Sequence, residues 1–425
     1  MEVTEIKKKM ARLWKETFHD SDEYVSLIFN SYFDPELVEI EEIGGDVAAA
    51  LMGVPYSFGN AERNIRGLYL CGLATKPQYR SRGIMTRLLA KINEKARQAG
   101  FAFTFLIPSD EGLRKYYHDR EYVNGFYRVI DNYTSLHDFD RDYESFLMDQ
   151  KEKVAELKRR HFASLKTGIY SPESDSDGAI RDGIRTLIRG IEDGQQDLQL
   201  IHSDRDIDIL ILENCISGGK IHYVCNSSGR VTAAAFTSVS VSDSAVDVHK
   251  LFATDVASKF KALGSVKTAS PELAIRHYVS SIEMDRKALW MRTYGSFMKD
   301  APQAGAVSIT ERVYSLAAHA KVYGMVRILD FPEVLKFQAE GRHDLKYSIL
   351  AKADDNEGFE QIDVRDGKLR IKKLDAESLT HSQTAHVMSK RDIGEILFRR
   401  RDTDNLITEA FGIPSINASI CLMLD

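Results

Sequence analysis

The stretch from Leu68 to Ile107 constrains the fold more than any other part of this chain. An apolar strand pattern, Leu68 to Thr75, runs into the charged loop Lys76-Pro77-Gln78-Tyr79-Arg80-Ser81-Arg82-Gly83. A helix follows from about Gly83 to Ala99, with Ile84, Leu88, Ile92 and Ala96 in an i, i+4 stripe and Met85 and Leu89 beside it. Gly100 stops that helix. Phe101 to Ile107 is almost wholly apolar, as expected of a strand buried on both faces. The loop therefore sits where a strand ends and a helix begins. Such a helix end presents unpaired N–H groups and partial positive charge, which makes it an anion site. Gly83 lets an anion approach the backbone, and Arg80 and Arg82 can add charge-assisted contacts. A pyrophosphate suits such a site.

The flanking sequence completes a mixed α/β unit. Ile6, Met10, Leu13, Trp14 and Phe18 mark an amphipathic first helix. Asp20 is placed to cap a second helix from about Ser21 to Phe33, which Pro35 closes. Leu37 to Glu42 and Val47 to Pro55 read as strands around a Gly44-Gly45-Asp46 turn. After Ile107 come a short helix near Glu111 to Asp119 and a strand from Tyr122 to Ile130.

At 425 residues the chain has room for two to four domains of roughly 100–200 residues each. Three are expected: 1–145, 146–298 and 299–425. A charged linking helix spans Asp138 to about Lys166, and Ser171 to Gly178 is a polar loop. The second unit holds a helix from about Asp204 and strands Ile221 to Asn226 and Val231 to Val241. It weakly repeats the first unit's hairpin but has no comparable Arg- and Gly-bearing loop, so it is expected to bind no cofactor. The polar stretch Lys299 to Gly305 marks the second boundary. Beyond it lie strands near 322–329, 345–353, 359–364 and 369–374, and helices from Pro332 to about Glu340, near 390–399 and near 404–411. The alternating tail Ile416 to Leu424 fits a half-buried strand.

Hydrophobic residues are 43% of the chain and charged residues 28%, which excludes a largely disordered chain. The net charge of −6 argues against general nucleic-acid binding. No stretch approaches the roughly 18 apolar residues of a membrane span, and the N-terminus lacks a signal-peptide core, so a cytoplasmic protein is expected. Cys71, Cys215, Cys225 and Cys421 are scattered and read as buried free thiols. His381 and His386 read as surface residues, the acidic Glu36, Glu39, Glu41 and Glu42 as a solvated strand edge or, alternatively, the lining of an amine-binding pocket, and His118 and Arg120 as part of a solvated helix face.

The loop resembles the signature of the GNAT acetyltransferases, Arg/Gln-x-x-Gly-x-Gly/Ala, through Arg80, Gly83 and the bulkier Met85. Tyr116-Tyr117-His118-Asp119-Arg120-Glu121-Tyr122 resembles that family's later FYxxxGF motif, with Glu121 where Gly is usual. The resemblance implies an acetyl-CoA-dependent N-acetyltransferase with tandem GNAT-like mixed sheets. It implies that the strand before the loop splays from the next one. The cofactor is then held at Leu73, Ala74 and Thr75 and at Ser81, Arg82, Gly83, Ile84, Met85 and Thr86. Tyr117 is implied as the general acid to the leaving thiolate. The three-unit layout narrows the resemblance to the Eis-like (enhanced intracellular survival) family, whose third domain is sterol carrier protein-like. That family implies a terminal carboxylate as base, here at Asp425, and assembly as a homo-oligomer, possibly a hexamer. An amine-bearing small molecule or peptide is the expected acceptor, and no metal or membrane partner is expected. The alternative is a lipid- or ligand-binding protein that uses its third domain, with an idle GNAT domain.

Overall fold

The computed structural model of the chain describes residues 2–60, 62–148, 150–194, 198–280, 320–340, 342–352, 358–375, 387–399, 416, 418, 419 and 422. The expected boundary at Lys299 to Gly305, the helix near 404–411, His381, His386, Cys421, Leu424 and Asp425 all lie outside them.

The first part of the chain forms α1 (Val3–Phe18), α2 (Asp22–Tyr32), β1 (Val38–Ile43), β2 (Asp46–Gly59), β3 (Asn64–Thr75), α3 (Ile84–Gln98), β4 (Phe103–Leu106), α4 (Glu111–His118) and β5 (Val123–Tyr133). This is the order expected from periodicity. One cap differs. Ser21, not Asp20, caps α2 by accepting from Tyr24 N, because the Asp20 carboxylate accepts from Trp14 Nε1 at 2.7 Å.

The expected linking helix is two helices, α5 (Phe139–Leu147) and α6 (Glu152–Ser164). Next come β6 (Lys166–Ile169), α7 (Ala179–Asp193), β7 (Leu198–Ile201), α8 (Asp204–Ile216), β8 (Lys220–Cys225), β9 (Val231–Ser240), β10 (Ala245–Ala253), α9 (Val256–Ala269) and β11 (Ala274–Ser280). The run β8-β9-β10-α9-β11 repeats β1-β2-β3-α3-β4. In each, a helix crosses over between two parallel strands, β3 with β4 and β10 with β11. The chain is thus a tandem of GNAT-like mixed sheets, more complete than the hairpin repeat legible in the sequence. Among the described residues the remaining elements are β12 (Lys321–Ile328), α10 (Phe331–Ala339), β13 (Lys346–Lys352), β14 (Phe359–Arg365), β15 (Lys368–Leu374), β16 (Val387–Met388), α11 (Lys390–Phe398) and β17 (Ala418–Ser419).

The strands make one large sheet in the order β17-β7-β2-β3-β4-β12-β5-β11-β10-β9-β8-β6, with β1 on β2, and a separate four-stranded sheet, β15-β14-β13-β16. β12 is expected at the opening of the third unit, yet it lies inside the first unit's sheet. It pairs antiparallel with β4 through Met325–Ile328 and with β5 through Lys321–Val326. Gly125 on β5 accommodates it, since a side chain there would collide with Val326. The tail forms a strand only at Ala418–Ser419 among the described residues. It pairs parallel with β7, and Ile416, Ala418 and Leu422 are buried.

Helices α1 and α2 cover one face of the first unit's sheet and α3 and α4 the other. On the first face the rings of Phe58, Phe103, Phe105 and Phe126 meet edge to face, with centroids 4.9–5.7 Å apart for Phe58–Phe103, Phe58–Phe105 and Phe105–Phe126. Such pairs add about 0.5–1.5 kcal/mol each beyond burial, which locks β2, β4 and β5 in register. On the second face, Asn93 Oδ1 accepts from Thr104 Oγ1 at 2.6 Å and from Tyr122 Oη at 3.2 Å. This buried network ties α3 to β4 and to the start of β5.

Candidate active site

The site begins where β3 and β4 part. Their parallel pairing covers only Gly67–Tyr69 against Phe103–Phe105, so past Tyr69 the edge of β3 that faces β4 has no ladder. On its other edge β3 stays paired with β2 as far as Thr75, with a register shift opposite Leu51. That shift is a bulge at Gly72 and Leu73. Gly72 has φ 60°, and its α-carbon lies against the Trp14 ring, leaving no room for a side chain. The fork is therefore lined by the backbone of Leu73, Ala74 and Thr75, with Leu73 and Thr75 half-buried and Ala74 buried.

The chain then turns through Pro77–Tyr79 to Gly83, which caps α3 in the left-handed region at φ 70°. The first bond of the helix runs from Arg87 N to Gly83 O at 3.2 Å. The N–H groups of the preceding turn, Ile84 to Thr86, consequently have no intrahelical acceptor. A β-carbon at Gly83 would meet nothing nearer than Arg87 Nη1 at 3.8 Å, so the space before the helix is open. Ser81 and Gly83 are exposed, Met85 and Thr86 are half-buried and Ile84 is buried. Arg80 and Arg82 are exposed. Arg80 Nε donates to Thr75 O at 3.0 Å, and the Arg82 guanidinium lies 5.5 Å from the Tyr79 ring centroid. An open helix N-terminus beside two exposed guanidiniums fits a diphosphate.

Tyr117 lies on α4, 6% exposed, with its ring edge-on to Tyr116 at 5.4 Å and to Tyr122 at 5.9 Å. Burial pushes its phenol well above the ordinary value, with Tyr122 and Tyr116 adding to the shift. It therefore holds its proton at neutral pH, as an acid must. Glu121 takes the left-handed conformation, φ 68°, that explains the usual Gly at this position. Its carboxylate pairs with Arg327 of β12.

Two residues depart from the solvated helix face expected of them. His118 faces α11, where Arg391 Nη2 is 2.8 Å from its Nδ1 and Glu395 is 3.4 Å from its Nε2. Arg120 is clamped between Tyr116 and Thr86, a role the sequence reading missed. The acidic strand edge is also engaged. Glu39 pairs with Lys95 at 2.7 Å and Glu41 with Arg87 at 3.1 Å, tying β1 to α3. Among the described residues no cluster of His, Cys, Asp or Glu could hold a metal ion, and no helix is long and apolar enough to cross a membrane.

In the second unit the equivalent helix end is closed. The Asp255 carboxylate caps α9, accepting from Ser258 N at 2.8 Å and from Thr254 Oγ1 at 3.0 Å. A carboxylate already occupies the place an anion would take.

A family model for the acetyltransferase (GNAT) domain matches residues 4–123. No curated protein matches the chain as a relative. Among solved structures the chain is similar to a probable N-acyltransferase from Enterococcus faecalis V583, at TM-score 0.61 and 14% identity over 94% of this chain and 90% of that one. It is similar to a GCN5-related N-acetyltransferase from Kribbella flavida, at TM-score 0.61 and 14% identity over 96% and 90%. It is also similar to Eis1 from Mycobacterium abscessus, at TM-score 0.56 and 11% identity over 94% and 88%. At these identities the likeness is one of fold, and it runs through nearly the whole of each chain. The match over residues 4–123 and the forked sheet within them identify a GNAT acetyltransferase domain, which makes the chain an acetyltransferase with acetyl-CoA as its co-substrate.

Proposed function

We propose that the chain transfers the acetyl group of acetyl-CoA directly to an amine of a small molecule or peptide. The observation that carries this reading is the fork between β3 and β4 leading to the Gly83-capped start of α3, with protonated Tyr117 on the adjoining helix. Acetyl-CoA supplies the activated acetyl group as a thioester. The N–H groups of Ser81 to Thr86, with Arg80 and Arg82, hold the diphosphate. The backbone of Leu73, Ala74 and Thr75 holds the pantetheine arm, and N–H groups at the Leu73 bulge polarise the thioester carbonyl. Tyr117 gives its proton to the departing thiolate.

The carboxylate at Asp425 accepts the proton lost by the amine. The direction of β17 supports this. Ser419 pairs with Gln199, and β7 pairs with β2 through Phe58–Leu200, so Ser419 stands level with Gly59. β17 runs antiparallel to β2 and so points toward the Leu73 end of β3. Six residue-to-residue steps lead from Ser419 to Asp425, and at about 3.3 Å each they span at most about 20 Å. Along that direction the reach extends at most to the level of Gly53 and Leu70.

The same reading extends to the Eis-like subfamily, supported by the whole-chain likeness to Eis1. The four-stranded sheet with α10 and α11 supports a sterol carrier protein-like third unit. Homo-oligomeric assembly follows from that reading and is read by sedimentation.

The test is turnover of acetyl-CoA against a panel of amines with thiol detection. It is repeated on a chain lacking residues 423–425, which spares the fully buried Leu422. The shortened chain should keep its CoA affinity and lose on the order of 10²-fold in turnover, the scale of a lost general base. Wild-type turnover after the deletion refutes the base. Absence of acetyl transfer to every amine refutes the function.

A further inference from the structure

Arg120 lies just past the end of α4, and its contacts reach back to the first turn of α3. The guanidinium carbon stands 3.4 Å from the centroid of the Tyr116 ring. Nη1 donates to the Tyr116 carbonyl at 2.5 Å. Nε and Nη2 both donate to Thr86 Oγ1, at 3.0 and 2.8 Å. Thr86 Oγ1 in turn lies 3.1 Å from Tyr116 Oη.

Proton counting fixes the direction of that last bond. A hydroxyl oxygen offers two acceptor positions and one proton. Both acceptor positions of Thr86 are taken by Arg120, so its proton goes to Tyr116, whose oxygen accepts. The Tyr116 proton is then turned away from Thr86, and nothing among the described residues receives it. The chain of donors runs one way, from the cation Arg120 through Thr86 to Tyr116, so each bond polarises the next and the Tyr116 O–H becomes a stronger donor. It passes through Thr86, the third residue of α3, beside the N–H groups assigned above to the diphosphate, and ends at the Tyr116 hydroxyl.

We propose that Tyr116 is a cofactor-binding residue whose hydroxyl donates to a phosphate oxygen of the CoA diphosphate. Arg120 is the positioning residue that orients and polarises it through Thr86. This rests on the acetyl-CoA reading of the site. It gives the cofactor a donor that lies outside the loop from Ser81 to Thr86. It also couples the nucleotide end of the ligand to α4, the helix that carries Tyr117.

Tyr116→Phe removes one oxygen and keeps the ring under Arg120, so the fold should hold, as a thermal melt will verify. Calorimetry on the full chain compares CoA with pantetheine, which shares the arm and has no phosphate. A hydrogen bond to a charged group predicts a loss of on the order of tenfold for CoA, with pantetheine changed by less than about twofold. Arg120→Lys keeps the charge but not the paired donors to Thr86. It should weaken CoA several-fold in the wild type and much less in the Tyr116→Phe background, because both changes break one relay. Wild-type CoA affinity in Tyr116→Phe, or equal losses for CoA and pantetheine, overturns the proposal. If the unaltered chain does not bind CoA, the cofactor reading falls with it, so the two failures are distinguishable.

Discussion

Replacing Gly72 with alanine tests whether Trp14 shapes the bulge at the fork. Gly72 sits at φ 60°, a conformation that costs a residue with a β-carbon about 1–2 kcal/mol. The new methyl would also overlap Cζ3 and Cε3 of the Trp14 ring. That ring cannot easily swing away. It is 7% exposed, its Nε1 donates to Asp20 at 2.7 Å, and it packs edge-on to Phe18 and Phe29 at 5.3 and 5.7 Å. Overpacking of this kind costs about 1–3 kcal/mol, so Gly72→Ala should destabilise by about 2–5 kcal/mol in total. In a Trp14→Leu background the ring is gone and only the backbone part remains. The double-mutant cycle should therefore return a coupling of about 1–3 kcal/mol. Urea unfolding followed by far-UV circular dichroism, read at the first cooperative transition, measures all four proteins. Equal costs in both backgrounds would show that Gly72 is not clearing Trp14. A neutral Gly72→Ala would refute the backbone argument as well.

Tyr117→Phe should leave the Kd for CoA within about twofold and lower kcat by about 10²-fold. Because the folded phenol titrates above its ordinary value, the wild-type rate should show no alkaline loss from this group below about pH 10, and a loss centred near pH 8 would contradict its role. His222 is buried on β8, with its pKa lowered from 6.5 to about 4 by burial and then by Lys220. The unfolded chain binds that proton first on acidification, so stability present above pH 6.5 is lost as pH falls toward 4, by about 3 kcal/mol in all. His222→Gln should flatten that part of the stability profile, measured by urea unfolding between pH 7 and 4.5. A chain ended at residue 280 has no β12 to fill the place between β4 and β5. It should neither melt cooperatively nor bind CoA, and binding by the 280-residue chain would sink the claim that β12 completes the catalytic sheet.

The legible parts of this molecule are those encoded locally. The stripe Ile84, Leu88, Ile92 and Ala96 turned up as the buried face of α3, because a 3.6-residue period needs no knowledge of partners. The loop from Arg80 to Gly83 was legible for the same reason, since its strand and helix adjoin it. The neighbour of a strand is not local information. Nothing in Lys321–Ile328 says that it pairs with strands some two hundred residues earlier, and so it reads as the start of a new unit. Arg120 was misread for a geometric reason. A helical face was extended to it, but α4 ends at His118, and past that point the chain turns Arg120 back over Tyr116. Asp20 and Ser21 are both good caps, and only the Trp14 indole decides between them. The helix α7 was available to the periodicity, with Ile184, Leu187 and Ile188 buried on one face, and went unread.

The most direct measurement of the central claim is a calorimetric titration of the full chain with acetyl-CoA, beside Gly83→Glu and Gly83→Ala. An added β-carbon at Gly83 finds open space, so alanine should weaken binding only through the strain of its left-handed backbone, by about tenfold or less. Glutamate adds a carboxylate where the diphosphate is to sit and should weaken it clearly more than alanine does. One acetyl-CoA should bind per chain, because Asp255 closes the second unit's helix end. Two sites per chain, or affinity unchanged in Gly83→Glu, would contradict it.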